Sequence, residues 1–217
     1  MKFVAVSDTH SRHREISLPP ADVIIHGGDV SKTGNIEEIH DFIQWFKDLN
    51  YTHKIFIAGN HDFYLESISK KNAEKELIPP GIIYLNDKGT KIENIKIWGS
   101  PVQPWFYDWA FNRKRGEEIK AHWDLIPTDT DLLITHGPPY GILDKNSQDE
   151  NVGCMDLLNK VNKIHPQAHI FGHIHEGFGE EIKAGIHFIN ASVLDEYYRL
   201  VNRPITFEVY DKKRIKK

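Results

Sequence analysis

Val23-Ile24-Ile25-His26-Gly27-Gly28-Asp29 is the stretch whose reading decides the fold. An apolar run ends in two glycines and then a carboxylate. The run is too short for a helix and too apolar for an exposed strand, so it reads as a buried parallel strand. The glycines let the backbone turn sharply and come close to whatever Asp29 holds. The expectation is that Asp29 bridges two metal ions, and that other strands deliver further ligands to the same point from their ends.

The rest of the chain allows that reading. Its 217 residues suit one domain with a full core, and no repeat, low-complexity tract or linker divides residues 1–217. Composition is that of a globular protein, with 40% hydrophobic and 27% charged residues. A net charge of -4 points to neither a long nucleic acid nor a membrane surface as partner. Lys212, Lys213, Arg214, Lys216 and Lys217 read as a solvated, frayed terminus. No apolar stretch approaches the ~20 residues of a membrane span, and the first residues are apolar too briefly for a signal peptide. Cys154 is the one cysteine, so no internal disulfide forms, and a reducing cytoplasm is the expected compartment.

Read in order, apolar runs keep ending in polar clusters. Phe3–Ser7 is a strand ending at Asp8-Thr9-His10, where residues two apart point the same way. After Asp29, Asn35 caps a helix whose Ile39, Phe42, Ile43 and Phe46 repeat at helical spacing, ending near Asn50. Lys54–Ala58 is a third strand, followed by Gly59-Asn60-His61-Asp62. Asn60 is a neutral oxygen ligand for a hard cation, His61 can serve as acid or donor to a substrate, and the same residues also read as a cap for a helix starting near Phe63. Ile82–Tyr84 and Ile95–Trp98 read as strands framing a turn at Asp87-Lys88-Gly89. Asp131–Thr135 is a buried strand ending at His136. Val152–Val161 reads as a helix, and Ala168–Phe171 as a strand ending at Gly172-His173-Ile174-His175. Ile182, Ile186, Phe188, Ile189, Ile205, Phe207 and Val209 alternate as strands of a largely antiparallel end of the sheet.

Between these lies a loop with Pro101, Pro104, Trp105, Phe106, Tyr107, Trp109 and Phe111, then Asn112, Arg113 and Arg115. Aromatic rings beside Asn and Arg suit a flat base and a phosphate, which makes Trp105, Phe106, Asn112 and Arg113 candidate substrate contacts with Asn60 and His61. A hydrophobic cluster under a long loop explains the same aromatics equally well. His13, His40, His53, His122 and His165 read as exposed. His26 reads as a support for Asp29, and His187 as packed.

Five strand ends thus carry Asp8 and His10, Asp29, Asn60 and His61, His136, and His173 and His175. Mixed nitrogen and oxygen ligands suit Mn, Fe, Zn, Ni or Co. Seven are too many for one such ion and suit two sharing a carboxylate, a clamp used in phosphoryl hydrolysis at a spacing of about 3.5–4 Å. The order D-x-H, G-D, G-N-H-D, H, G-H-x-H resembles the calcineurin-like metallophosphoesterase superfamily. GSPVQPWFYDWAFNRKRGEE, THGPPYGILD, FGHIHEGFG and INAS resemble its MPPED-type branch.

The resemblance implies an α/β fold, the metallophosphoesterase four-layer α/β/β/α sandwich with two mixed sheets. It implies two divalent metal ions, with Asp8, His10 and His175 on the first and Asn60, His136 and His173 on the second. Asp29 would bridge them, with His61 acting on the substrate. Apart from the resemblance, Asp62 is the expected catalytic partner of His61, supplying a charge that keeps it protonated. Some mammalian members of the branch have lost a histidine of the last motif, whereas both His173 and His175 stand here. The expected activity is a phosphodiesterase hydrolysing 2′,3′- or 3′,5′-cyclic nucleotides through a metal-bridging hydroxide, with a small-molecule phosphate ester as partner. The alternatives are a nucleoside monophosphatase and a nucleotide-binding scaffold of little activity. The complete ligand set separates the enzyme from the scaffold.

Overall fold

The computed structural model describes residues 1–68 and 70–211, so the basic tail at Lys212, Lys213, Arg214, Lys216 and Lys217 lies outside the described residues. Along the chain come β1 (Lys2–Val6), β2 (Val23–His26), α1 (Ile36–Asp48), β3 (His53–Phe56), α2 (Phe63–Ser67), α3 (Lys70–Asn72), β4 (Ile82–Tyr84), β5 (Lys88–Ile92) and β6 (Ile95–Ser100). Then follow β7 (Gln103–Pro104), β8 (Asn112–Arg113), α4 (Glu117–Asp124), β9 (Leu132–Thr135), α5 (Met155–Ile164), β10 (Ala168–Phe171), β11 (Gly179–Lys183), β12 (Ile186–Asn190) and β13 (Ile205–Glu208).

The strands form two large mixed sheets, ordered β13-β1-β2-β3-β4 and β11-β12-β10-β9-β6-β5. In each, parallel strands occupy the middle. β13 runs antiparallel at one edge of the first sheet, and β5 and β11 at the two edges of the second. Buried parallel strands are apolar on both faces, and every residue of β2 is buried, as its sequence requires.

Three apolar clusters separate four layers. Phe3, Ala5, Val23, Ile25 and Ile55 pack against Ile97, Leu132, Ile134, Ile170 and Ile189 between the sheets. Val4, Ile24 and Phe56, on the other face of the first sheet, meet Ile39, Phe42, Ile43 and Phe46 of α1. Leu133, Phe171 and Phe188, on the far face of the second sheet, meet Ile119 and Trp123 of α4 and Leu157, Val161 and Ile164 of α5. The order is α/β/β/α. Helix α1 starts where the Asn35 side chain accepts from the Glu38 amide at 2.9 Å. Its Phe42 ring touches Phe46 and Phe56, and each such fully buried side chain contributes about 1.5–3 kcal/mol.

Three local expectations are corrected. Ile82–Tyr84 and Ile95–Trp98 do not frame one turn. β4 pairs in parallel with β3 in the first sheet, while Lys88 and Gly89 open β5, which pairs with β6 in the second. The tight turn is at Glu93-Asn94, and Asp87, at φ 47°, stands where the chain crosses between sheets. Alternation marks a strand but not its partner. The late strands also divide, β11 and β12 joining one sheet and β13 the other, and β12 runs parallel to β10. Helix α5 begins at Met155 rather than Val152. The preceding backbone is held elsewhere, with the Val152 amide donating to Asp144 O and the Cys154 amide to Pro138 O.

Candidate metal centre

The middle strands end at one place because the two sheets are stitched together there. The Ser7 amide, just past β1, donates to Ala191 O past β12 at 2.8 Å, and the Val193 amide donates to Ser7 O at 3.0 Å. The turns after β1, β2, β3, β9 and β10 then face one another at the carboxyl ends of their strands, where open α/β sheets bind ligands. Gly28 makes this approach possible. Its φ is +106°, and a Cβ there would lie 2.5 Å from His136 Nδ1 and 2.7 Å from Ala58 O. Gly59 has the same function, since a Cβ would overlap the Asp29 carboxylate and the His136 ring.

All seven residues expected as ligands come to this end of the sheets. Ligand atoms of Asp8, His10 and His175 lie within 4.8 Å of one another, as do those of Asp8, Asp29 and His136 and those of His10, Asp29 and His61. Asn60 Oδ1 is 2.8 Å from His136 Nε2. The His173 ring is 5.0 Å from that of His136 and faces the same cavity. Asp8, His10, Asp29 and His173 adopt left-handed backbone conformations, with φ of 54°, 41°, 52° and 69°.

Hydrogen bonds aim the rings. His136 Nδ1–H donates to Gly27 O at 3.0 Å, His175 Nδ1–H to Asp195 O at 2.9 Å, and His61 Nδ1–H to Lys32 O at 2.7 Å. Each bond fixes the tautomer and leaves Nε2 free on the cluster side, which at His136 and His175 is the arrangement of a metal-binding imidazole. Asp29 Oδ1 accepts the His61 amide at 2.8 Å. Asp8 accepts the His173 amide at 3.0 Å and the Ser192 hydroxyl at 2.9 Å.

The buried carboxylates and imidazoles shift one another strongly. Burial alone would raise Asp8 and Asp29, but the imidazoles of His175 and His136 beside them hold both carboxyls well below the usual range. Burial would lower those imidazoles, yet Asp8 and Asp29 push His175 and His136 up to about 9. Burial wins at His10, which falls to about 4, and at His173, which falls to about 3. Neither ring nitrogen of buried His10 has a hydrogen-bond partner. Two buried carboxylates beside a neutral imidazole with an unused nitrogen lone pair fit a divalent cation.

A cavity of about 470 Å³ opens over the cluster. His10, Asp29, Asn60, His173 and His175 form its floor, and Trp105, Phe106 and Trp109 one wall. His61 lies between the floor and that wall, its ring 4.3 Å from Trp109 and 4.5 Å from His10. Sequence reasoning missed Tyr198, which lines the cavity and sets its ring 4.8 Å from His10 and 5.7 Å from His175. Nothing local marks it within Glu196-Tyr197-Tyr198-Arg199. Its position depends on a left-handed φ of 60° and on Arg12 donating to its carbonyl.

Other expected contacts lie elsewhere. Asn112 and Arg113 are outside the lining of the cavity. Asn112 donates to the carbonyls of Phe106 and Tyr107 and accepts from Gln103, and Arg113 pairs with Glu66 at 3.1 Å, so both shape the aromatic segment from behind. Asp62 is buried and makes no side-chain cap to α2. Its carboxylate accepts the amides of Gly59, Val30 and Ser31, tying the third turn to the second. Burial, reinforced by Asp29, pushes that carboxyl up to about 6.

The histidines read as exposed also divide. His13 is buried, 3.1 Å from Asp41 and 4.8 Å from the Trp45 ring, because the aromatic face of α1 covers it. His122 pairs with Asp87, and His187, read as packed, is half-buried and pairs with Glu180.

Known proteins resemble this chain over the whole of the region just described. The family of calcineurin-like phosphoesterases matches residues 1–177. The human metallophosphoesterase domain-containing protein 1 is 41% identical over 230 residues, covering 96% of this chain and 71% of that protein. The Caenorhabditis elegans UPF0046 protein K07C11.7 is 36% identical over 220 residues, covering 96% of this chain and 75% of its own. The crystal structure of TT1561 of Thermus thermophilus superposes with a TM-score of 0.59 at 14% identity, covering 96% of this chain and 99% of that one, a likeness of fold alone. The family match takes in every turn from Asp8 to His175, and on that ground the chain belongs to the calcineurin-like phosphoesterases.

Proposed function

We propose that the chain is a dinuclear, metal-dependent phosphodiesterase acting on cyclic nucleotides, 2′,3′ or 3′,5′. The observation that carries this reading is one cavity with a ligand-rich floor, an aromatic wall and His61 between them. Asp8, His10 and His175 would hold one ion, Asn60, His136 and His173 the other, and Asp29 both. Two divalent ions, whether Mn, Fe, Zn, Ni or Co, would supply Lewis acidity to the phosphoryl oxygens and to the attacking water.

The chain's own side chains do the rest. His61 is oriented by its Nδ1–H bond to Lys32 O and by the face of Trp109. In its protonated form it gives the Nε2 proton to the departing ribose oxygen as the P–O bond breaks. Trp105 and Phe106 offer faces on which a base stacks. The lining favours a monoanion. Among the described residues, Arg115 is the only Lys or Arg in the lining and already donates to the carbonyls of Val152 and Gly153, while Glu176 and Glu196 add carboxylates. A cyclic diester carries one charge where a monoester carries about 1.5–2 at neutral pH, which ranks the monophosphatase second. Cys154 is buried and unpaired, in keeping with a cytoplasmic setting.

The test is a panel of cyclic diesters, linear diesters and nucleoside monophosphates, assayed with each of the five metals. Faster turnover of cyclic diesters than of monophosphates is expected. Tight metal binding without hydrolysis of any ester would replace the enzyme with a scaffold.

A further inference from the structure

His26 closes β2 at the centre of the first sheet and is fully buried. Both of its ring nitrogens are in use. Nδ1 accepts the Gly28 amide at 3.3 Å, which leaves the proton on Nε2, and Nε2–H donates to Thr9 Oγ1 at 3.0 Å. The ring is therefore no candidate ligand. Its two partners sit in two different turns. Thr9 lies between Asp8 and His10, and Gly28 immediately precedes Asp29. Asp8, His10, Gly28 and Asp29 all have positive φ, so each turn holds a conformation that needs outside restraint. Backbone bonds already join these turns, with the Asp8 amide donating to Gly28 O and the His10 amide to Asp29 O, both at 3.0 Å. The imidazole adds the side-chain tie that sets their spacing from beneath. The Phe42 ring, 4.9 Å away, closes it off from the α1 side.

We propose that His26 is a positioning residue of the metal centre, holding the Asp8–His10 turn and the Gly28–Asp29 turn in register through Thr9 Oγ1 and the Gly28 amide. The proposal rests on the metal-centre reading above. Support of this kind behind metal ligands is typically worth about 10–100-fold in metal affinity. The two bonds can be cut one at a time. In His26→Asn, Oδ1 replaces Nδ1 as acceptor for Gly28 and the bond to Thr9 is lost. In His26→Gln, Nε2 still reaches Thr9 and the acceptor for Gly28 is lost. Thr9→Val removes the acceptor from the other side.

The experiment measures Mn²⁺ affinity of the purified full chain by competition with a fluorescent chelator, together with the melting temperature of the metal-free protein. The variants are His26→Asn, His26→Gln, Thr9→Val, the pair His26→Asn with Thr9→Val, and two controls, Phe42→Leu and Asp29→Asn. Phe42→Leu loosens the core around His26 without touching either bond. Affinity should fall about 10–100-fold in His26→Asn and Thr9→Val, and the pair should be no weaker than its weaker member, since both changes cut one bond. Phe42→Leu should lose melting temperature and keep its affinity. If His26→Asn, His26→Gln and Thr9→Val all stay within about threefold of the parent while Asp29→Asn loses metal, His26 is a packed core residue and the proposal is overturned. If Asp29→Asn also keeps full affinity, the metal-centre reading fails and this proposal with it.

Discussion

The turns carrying Asp8, Asp29 and His136 and the segment carrying Trp105 and Phe106 line one cavity, but they are secured in different ways. The turns are buried, stitched across two sheets by backbone bonds, and their imidazoles are aimed by carbonyls. The aromatic segment hangs from the two-residue strands β7 and β8. Trp105 is 56% exposed, and Tyr107 is 78% exposed. The floor therefore cannot change without unsettling its neighbours, whereas the wall can change with little effect on the core. Under the proposed function, reaction chemistry would fall to the first region and choice of substrate to the second.

The difference can be broken at its strongest point first. Asp29→Asn should abolish binding of both ions and lower kcat/KM on the order of 10³-fold or more, since the catalytic clamp is dismantled. Asp8→Asn should deplete mainly one ion. Elemental analysis beside kinetics reads both, and a fully metallated, fully active Asp29→Asn would disprove the shared ligand. His61→Ala should keep its metals and lose about 10²–10⁴-fold in kcat on a ribose ester. A nitrophenyl ester, whose leaving group needs no proton, should suffer distinctly less. Equal losses on both substrates would make His61 an anchor for phosphoryl oxygens instead of an acid.

The wall should respond more mildly. Trp105→Ala should raise KM for a nucleotide roughly fivefold to tenfold, the low end of base stacking, and leave a small aryl phosphate and the melting temperature nearly unchanged. A fall in melting temperature with equal effects on both substrates would make the segment a packing cluster. The smallest effect on activity is expected behind the floor. His169 is fully buried, and its Nε2–H donates to Thr135 Oγ1 at 2.8 Å, beside His136. Burial pushes its imidazole from 6.5 down to about 3. The unfolded chain takes up that proton first, so this group's share of stability is complete above pH 6.5 and declines as pH falls towards 3. His169→Gln should flatten the acid side of a denaturant-based stability curve by up to about 1.4 kcal/mol per pH unit. An unchanged slope would mean that the imidazole is not kept neutral.

The same contrast explains what could be read from the sequence. The candidate ligands stand within a few residues of the end of an apolar run, so the Asp29 turn after Val23–His26 and the His136 turn after Leu132–Thr135 were legible. So was the Asn35 cap. What escaped depends on distant partners. Apolar alternation in Ile82–Tyr84 fits either sheet, and only the parallel partner β3 decides. Asp62 looks like a cap until Val30 and Ser31 are brought to it. His13 looks exposed until α1 folds over it. Tyr198 reaches the cavity from the far end of the chain on a backbone conformation that its sequence does not announce.

The left-handed backbone at Asp8, His10, Asp29 and His173 has a consequence for laboratory evolution. Non-glycine residues in that conformation each cost about 1 kcal/mol or more, and the two carboxylates among them are also crowded together in the interior. Heat resistance and metal retention therefore pull these positions in opposite directions. A population selected only for surviving heat should drift to glycine or asparagine at these codons first, and lose its metal ions well before it loses its fold.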